Sequence, residues 1–441
     1  MTTDTLDRRM RRSRGHERRL GLDLWLAAAL IGALTALLPL MMGQRTPETL
    51  TATLMLMTLL ALAAGVLTVR NPDIGLPDGW WLVVAGLMTA MVAVQVWPST
   101  GLARWLGPYP EPVWQHPEFL PRHWAPDVGA ALRGWSAFIA LFIIAWLGRS
   151  LPRACRHWIW LAVVAMALFQ GLYGLLSHAA GAQTIFGIWE RNNPDFVHGS
   201  FSNRNLYAAY LALTWPLAVG IWFIRDMPGT GRLPSELRVA AAVICGAIIG
   251  AAMLGSASRL GAAAGVFGIL LALILWGRHR QMIYGASAWP AYMAAAAALV
   301  GATWYGLTPL AERLLATSGE EFRLEAFGII LREFPWQWWI HGVGLGGFEA
   351  AFKPFQPAHA TGWLDYAHND LLQWLVEMGV VGLVILGIIA TALIRKARLS
   401  TERIALYACL AALCIVALGD FSWHIPATQV VLAFYIGVLL R

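Results

Sequence analysis

The chain has 441 residues, 58% of them hydrophobic and 13% charged, with a formal net charge of +7. Its apolar residues come in long uninterrupted runs rather than in alternation, which excludes a soluble globular protein and predicts a polytopic membrane protein. Most arginines lie between those runs, where membrane topology explains them, so the basic balance does not point to nucleic acid.

Residues 1–20 carry Arg8, Arg9, Arg11, Arg12, Arg14, Arg18 and Arg19, a basic cytoplasmic segment suited to anionic headgroups. The run from about Leu24 to Met42 is long for a signal peptide and lacks a small-x-small cleavage site, so it is expected to be a retained first span. Spans two and three follow at about 50–68 and 80–97. The proline- and tryptophan-rich connection at about 98–133 is expected outside, in the headgroup region, with its tryptophans as interfacial anchors. Span four, about 135–148, returns to Arg149, Arg153 and Arg156, and span five, about 158–177, leads to a second external loop at about 178–204. Span six, about 205–224, comes back to Arg225, Arg232 and Arg238. Spans seven and eight, about 239–255 and 261–276, flank the tight outer turn GSASRLG and end at Arg278 and Arg280. Span nine, about 284–305, opens onto the longest external loop, about 306–370, and span ten runs over about 371–394 to Arg395, Lys396, Arg398 and Arg403. Spans eleven and twelve, about 404–419 and 427–440, enclose the outer turn GDFSWHIPA.

The expectation is therefore an all-α transmembrane bundle of about twelve helices with both termini cytoplasmic, forming one membrane domain over residues 21–441 with no long soluble extension after the last helix. The long outer loop should hold short amphipathic helices. Cys155 lies in a short basic loop, and Cys245, Cys409 and Cys414 lie in apolar runs, so the four read as small packing residues and not as disulfides or metal ligands.

This topology gathers polar groups on one face. Arg204 stands between Asn203 and Asn205 where span six begins, and it reads either as an arginine snorkelling to headgroups or as an anion clamp, since a guanidinium fork matches phosphate oxygens two at a time. Arg259 lies among Gly255, Ser256, Ser258 and Gly261, small residues that would let a phosphate approach the free N–H groups of a helix start. Arg323, on an expected amphipathic helix with apolar Phe322, Leu324, Phe327, Ile330 and Leu331, is close to Glu320, Glu321 and Glu325, so a salt-bridged surface role weighs equally. His368 has Asp365, Asn369 and Asp370 around it, and a neutral imidazole on the water-facing rim, with carboxylates to orient it, suits general-base activation of a hydroxyl. Glu377 lies within span ten, where structural pairing is the larger expectation. His341 and His359 read as polar loop groups, and Asp420 and His424 could line the same cavity, although no spacing argument connects them to it. Gly342, Gly344, Gly346 and Gly347 are expected to be turns that let the loop fold over a substrate; no strand precedes them, so they are not a nucleotide fingerprint.

The segments GSFSNRNLYAAYL, GSASRLG, SGEEFRLEAF, HGVGLGGF and AHNDLLQWLVEMGVVG, taken in that order over roughly residues 180–385, resemble the successive signatures of the O-antigen ligase and polymerase superfamily, bacterial membrane glycosyltransferases of GT-C type. The resemblance implies metal- and cofactor-independent transfer of a glycan from an undecaprenyl diphosphate carrier to an acceptor sugar hydroxyl on the periplasmic face of the inner membrane. It implies that Arg204 and Arg259 bind the diphosphate, that His368 deprotonates the acceptor, and that Arg323 has a related role. Inversion by direct displacement is expected, because no nucleophile pair is offered. The loop at 98–133 inclines the reading to the polymerase or exopolysaccharide branch, which would work with a chain-length regulator or other assembly proteins. The alternative branch is a ligase that attaches the glycan to lipid A-core or to protein. A rival of another class, a transporter or flippase for lipid-linked sugars, would show ionisable residues deep in the helices and interrupted helices at mid-membrane.

Overall fold

The computed structural model describes residues 21–43, 47–71, 74, 76–99, 123–192, 194–224, 226–230, 233–284, 321–357 and 364–441. Span nine, His359 and most of the proline- and tryptophan-rich connection lie outside them. The other expected spans are all helices: α1 (Leu22–Leu40), α2 (Pro47–Val69), α3 (Gly79–Val96), α4 (Val128–Ser150), α5 (Arg153–Ala179), α6 (Arg204–Gly220), α7 (Ser235–Gly255), α8 (Arg259–Tyr284), α12 (Asp370–Arg395), α13 (Thr401–Ala417) and α14 (Pro426–Leu439). Between α8 and α12 the long loop holds α9 (Glu321–Glu333), α10 (Trp336–His341) and α11 (Phe348–Phe352). A two-residue hairpin, β1 (Thr184–Ile185) with β2 (Trp189–Glu190), lies between α5 and α6. Among the described residues nine helices are long and apolar enough to cross a membrane, and the protein is an all-α polytopic membrane protein.

Lipid-facing and protein-facing stripes separate cleanly. On α2, Met55, Leu59, Leu62 and Val66 are exposed at helical spacing, while Leu54, Met57, Ala61 and Ala64 are buried. A bilayer is as apolar as leucine, so helices gain little from burying large side chains and associate through close backbone approach instead. α4 and α14 show this: a Cβ at Gly148 would meet the Phe434 carbonyl and one at Gly437 would overlap Ala145, so glycine on both helices permits the contact. α6 is the centre of the bundle, packed by α5, α7, α8 and α13. Cys155, Cys245 and Cys409 are buried, Cys414 is exposed, and all four are free thiols.

Two boundaries differ from expectation in a way that shapes the site. α4 begins at Val128, inside the stretch expected to be loop, because Asp127 caps it by accepting the Ala130 N–H at 2.8 Å. α12 is interrupted at Gly379, whose φ of 58° and ψ of −153° are not helical. The carbonyls released there do not stay empty. Val343 N–H donates to Val376 O at 2.9 Å and Gly344 N–H to Glu377 O at 3.0 Å, so the glycine loop completes the helix it lies against.

The loop before α6 is tied down by a buried polar pair. Arg191 Nε donates to His198 Nε2 at 2.9 Å, which leaves the proton of the neutral imidazole on Nδ1, facing the Phe201 carbonyl. Burial, and then the Arg191 charge, push His198 down from 6.5 to about 4. Between those values the unfolded loop binds the proton and the folded loop does not, so its stability is complete above 6.5 and falls as pH drops towards 4. Protease cutting between residues 180 and 203 of the purified protein should accelerate across that interval and stop doing so in His198→Gln, which cannot titrate. Equal cutting rates at pH 7 and pH 4.5 would refute the assignment.

Candidate functional site

Three helix starts and one turn meet at the same end of the bundle. α6 and α8 run side by side in the same direction, and a Cβ on Gly261 would press against that of Ala208, one turn into α6. That contact places Arg204 and Arg259, the first residues of the two helices, on neighbouring starts. Leu260 lies against Gly419 in the turn between α13 and α14. The next residues of that turn reach α12: Asn369 Nδ2 donates to Leu418 O at 3.0 Å, and His368 Nδ1 faces Asp420 Oδ1 at 3.5 Å. Unmade N–H groups at the three starts give this region a positive potential before any side chain is counted.

Arg204 is buried, 7% exposed, with its guanidinium carbon 4.0 Å above the ring of Phe196. Its Nη1 is buried with no hydrogen-bond partner among the described residues. A desolvated cation with an unmade hydrogen bond is costly alone and becomes favourable when an anion supplies the acceptor. Asn203 caps α6 by accepting the Asn205 N–H at 2.8 Å, which sets the point where Arg204 leaves the loop. The snorkelling alternative does not fit, because the guanidinium is buried under Phe196. Arg259 is half-buried and follows Ser258, whose Oγ accepts the Gly261 N–H at 3.4 Å. Arg323 lies on α9, but its side chain is outside the described residues. α9 does present an apolar face, Ala326, Ile329 and Ile330, which with Phe334 just after it joins a core shared with Val343, Phe348, Ala367 and Val376. Leu331, expected on that face, is 64% exposed because it falls on the opposite side.

His368 sits at φ 49°, a left-handed conformation that costs a non-glycine residue about 1–2 kcal/mol. Its flanks hold it there. Ala367 N–H donates to Gln373 Oε1 at 3.0 Å, and Asn369 caps α12 by accepting the Leu372 N–H at 2.9 Å. The ring meets Phe421 edge-on with centroids 5.0 Å apart, and the side chain remains 20% exposed. At 3.5 Å the Nδ1–Asp420 approach is longer than a closed hydrogen bond.

The carboxylates around His368 are not those its chain neighbours suggest. Asp365 is exposed and interacts with Glu349, whose own carboxyl burial raises first and Asp365 second. Asp370 is buried and engaged by His424. The group beside His368 is Asp420, 52 residues away in sequence, which position in the chain alone could not identify. Glu377 is also buried, accepting Gly346 N–H at 2.8 Å and Gln373 Nε2 at 3.0 Å, as structural pairing requires. His341 packs edge-on against Trp124 with ring centroids 4.0 Å apart, a structural contact. The glycines at 342, 344 and 346 have positive φ, as turns require, but they seat the loop on α12.

Residues 241–387, about a third of the chain, match the family model described as O-antigen ligase. The match supports assigning the chain to the O-antigen ligase superfamily. A comparison with curated proteins finds no match. The O-antigen ligase match takes in Arg259, Arg323, His368, Asp370, Glu377 and the glycine loop, while Arg204, Asp420 and His424 lie outside it and join the site through packing. In general terms, the match supports a glycosyltransferase of the O-antigen ligase or polymerase kind, acting in a membrane on lipid-linked glycan and acceptor.

Proposed function

We propose that the protein transfers a glycan from an undecaprenyl-diphosphate-linked donor to an acceptor sugar hydroxyl. The observation that supports this best is the meeting of three helix starts with Arg204, Arg259 and His368 at one end of the bundle. Arg204 and Arg259 hold the diphosphate, with Arg204 contributing its unmade Nη1 hydrogen bond. With Nδ1–H directed to Asp420, His368 uses Nε2 to take the proton of the acceptor hydroxyl. The acceptor oxygen then bonds to the anomeric carbon as the bond to the diphosphate oxygen breaks, with inversion. The charge released on the diphosphate is met by the two guanidinium groups and the helix starts. In this reading the site faces the periplasm, the domain spans residues 21–441 of an inner-membrane protein with cytoplasmic termini, and Arg323 assists from α9.

Transfer by purified protein in detergent tests this. Arg204→Ala should lower kcat/KM for the lipid-linked donor by about 10²-fold, the value of one or two charge-assisted hydrogen bonds. Arg204→Lys should recover only part, because a point charge replaces a fork. Wild-type kinetics in Arg204→Ala would overturn the clamp.

The interrupted α12 with buried Glu377 also suits the transporter reading. Product formed in detergent, with no compartment to cross, decides for transfer chemistry. The branch is read from surface polysaccharide after gene deletion: unattached long chains for a ligase, single repeat units on lipid A-core for the favoured polymerase.

A further inference from the structure

The turn that carries Asp420 is fastened to the start of α12 through one imidazole. His424 Nδ1 lies 2.7 Å from Asp370 Oδ1, and the other oxygen of Asp370 accepts the Trp423 N–H at 2.9 Å and the Ser422 hydroxyl at 3.2 Å. All three donors belong to the same turn, and Asp370 is wholly buried beneath them. On the far side of the ring, His424 Nε2 faces Glu377 Oε2 at 3.9 Å, and that same oxygen accepts the Gly346 N–H. The imidazole thus lies between two buried carboxylates, one at the start of α12 and one two turns further on, beside the glycine loop.

The geometry joins this cluster to the reacting histidine. His368 and Asp370 are two residues apart on one segment, and Asp420 and His424 are four apart on the other, so the His368–Asp420 and Asp370–His424 contacts are rungs between the same two segments. Asn369 to Leu418 O is a third. Moving the turn enough to lose one rung displaces the others.

We propose that His424 is a positioning residue: held between Asp370 and Glu377, it fixes the turn so that Asp420 stays in register with Nδ1 of His368. This rests on His368 being the base. His424 itself meets no reacting atom; Tyr366 and Phe421, stacked with centroids 4.3 Å apart, flank it on the side of His368.

The test is a mutant cycle on the purified full-length protein, reading glycan transfer with a polyprenyl-diphosphate-linked donor. His424→Ala should lower kcat by about 10²-fold, the effect of a displacement of about 1 Å at a reacting group, with donor KM unchanged. His424→Asn, whose amide can donate from near the Nδ1 position, should restore about tenfold of that loss. The Asp420→Asn/His424→Ala double variant should be no slower than the slower single variant, because both act through one contact. Wild-type kcat in His424→Ala, or losses that multiply in the double variant, would overturn the proposal. If His424→Ala is not recovered folded, the cycle is run with His424→Asn and the same criteria apply. His368→Ala separates the two levels: full activity there removes the base assignment itself, whereas an inactive His368→Ala beside an unaffected His424→Ala removes only the positioning role.

Discussion

Replacing His368 by alanine is expected to lower kcat for glycan transfer by about 10²- to 10⁴-fold, the range that a general base supplies. Donor KM should change little, because in the proposed mechanism His368 acts on the acceptor and the arginines bind the diphosphate. The variant should also fold, since among the described residues His368 makes no closed side-chain hydrogen bond, and the left-handed conformation costs alanine only about 1–2 kcal/mol. A second variant tests its orientation. Asp420→Asn removes the carboxylate that faces Nδ1 and should lower kcat with donor KM unchanged. An alanine variant at 368 with wild-type turnover, or wild-type kcat in Asp420→Asn, would count against the assignment.

The next largest effect is expected at Gly342, a residue that touches no substrate in this reading. Its φ is +73°, and an added Cβ would overlap the carbonyl oxygen of Glu377 and its neighbours. Gly342→Ala therefore combines left-handed strain of about 1–2 kcal/mol with overpacking of about 1–3 kcal/mol. The loop can relieve the overlap only by leaving α12, which breaks the Val343 and Gly344 hydrogen bonds and withdraws the Gly346 N–H from Glu377. A lower melting temperature in detergent and loss of transfer activity should appear together. Gly328→Ala is the control: it lies within α9 with open space around it, so alanine there should be neutral or stabilising by about 0.5–1 kcal/mol. Equal melting temperatures for the two variants would show that the glycine loop does not brace α12.

The transmembrane scaffold was legible because hydrophobic run length and arginine placement are local properties, and a helix of membrane length needs little else. The start of α4 was not, because one side chain, Asp127, moves a boundary into a stretch whose composition reads as loop. The motifs brought Arg204, Arg259 and His368 forward for similar reasons: the two arginines open helices and His368 immediately precedes the cap of a third, where sequence and position correspond closely. The partners of His368 were harder. Asp365 and Asp370 are its neighbours in the chain, yet one faces solvent and the other is taken by His424, 54 residues away. A contact between two turns that close different helices leaves no periodic trace, so Asp420 and His424 could be seen as polar and could not be placed. The break at Gly379 was hidden for another reason. A glycine within an apolar run is common in membrane helices, and only the approach of Ile340 and Gly342 shows why this one cannot be helical.

The division of α12 at Gly379 has a mechanical meaning. The first piece, with Asp370, Gln373, Val376 and Glu377 buried, is anchored to the loop core, while the second piece leaves Val380, Leu383 and Val384 about half exposed. A continuous helix transmits tilt along its whole length, so a thicker or thinner bilayer acting on the second piece would rotate His368 as well. With the hydrogen-bond ladder interrupted and its free carbonyls held by residues 343 and 344, the break gives the second piece a point at which to tilt with the lipid while the first keeps its own packing. In the proposed mechanism the joint would act as a vibration mount, insulating the base from a membrane whose thickness fluctuates.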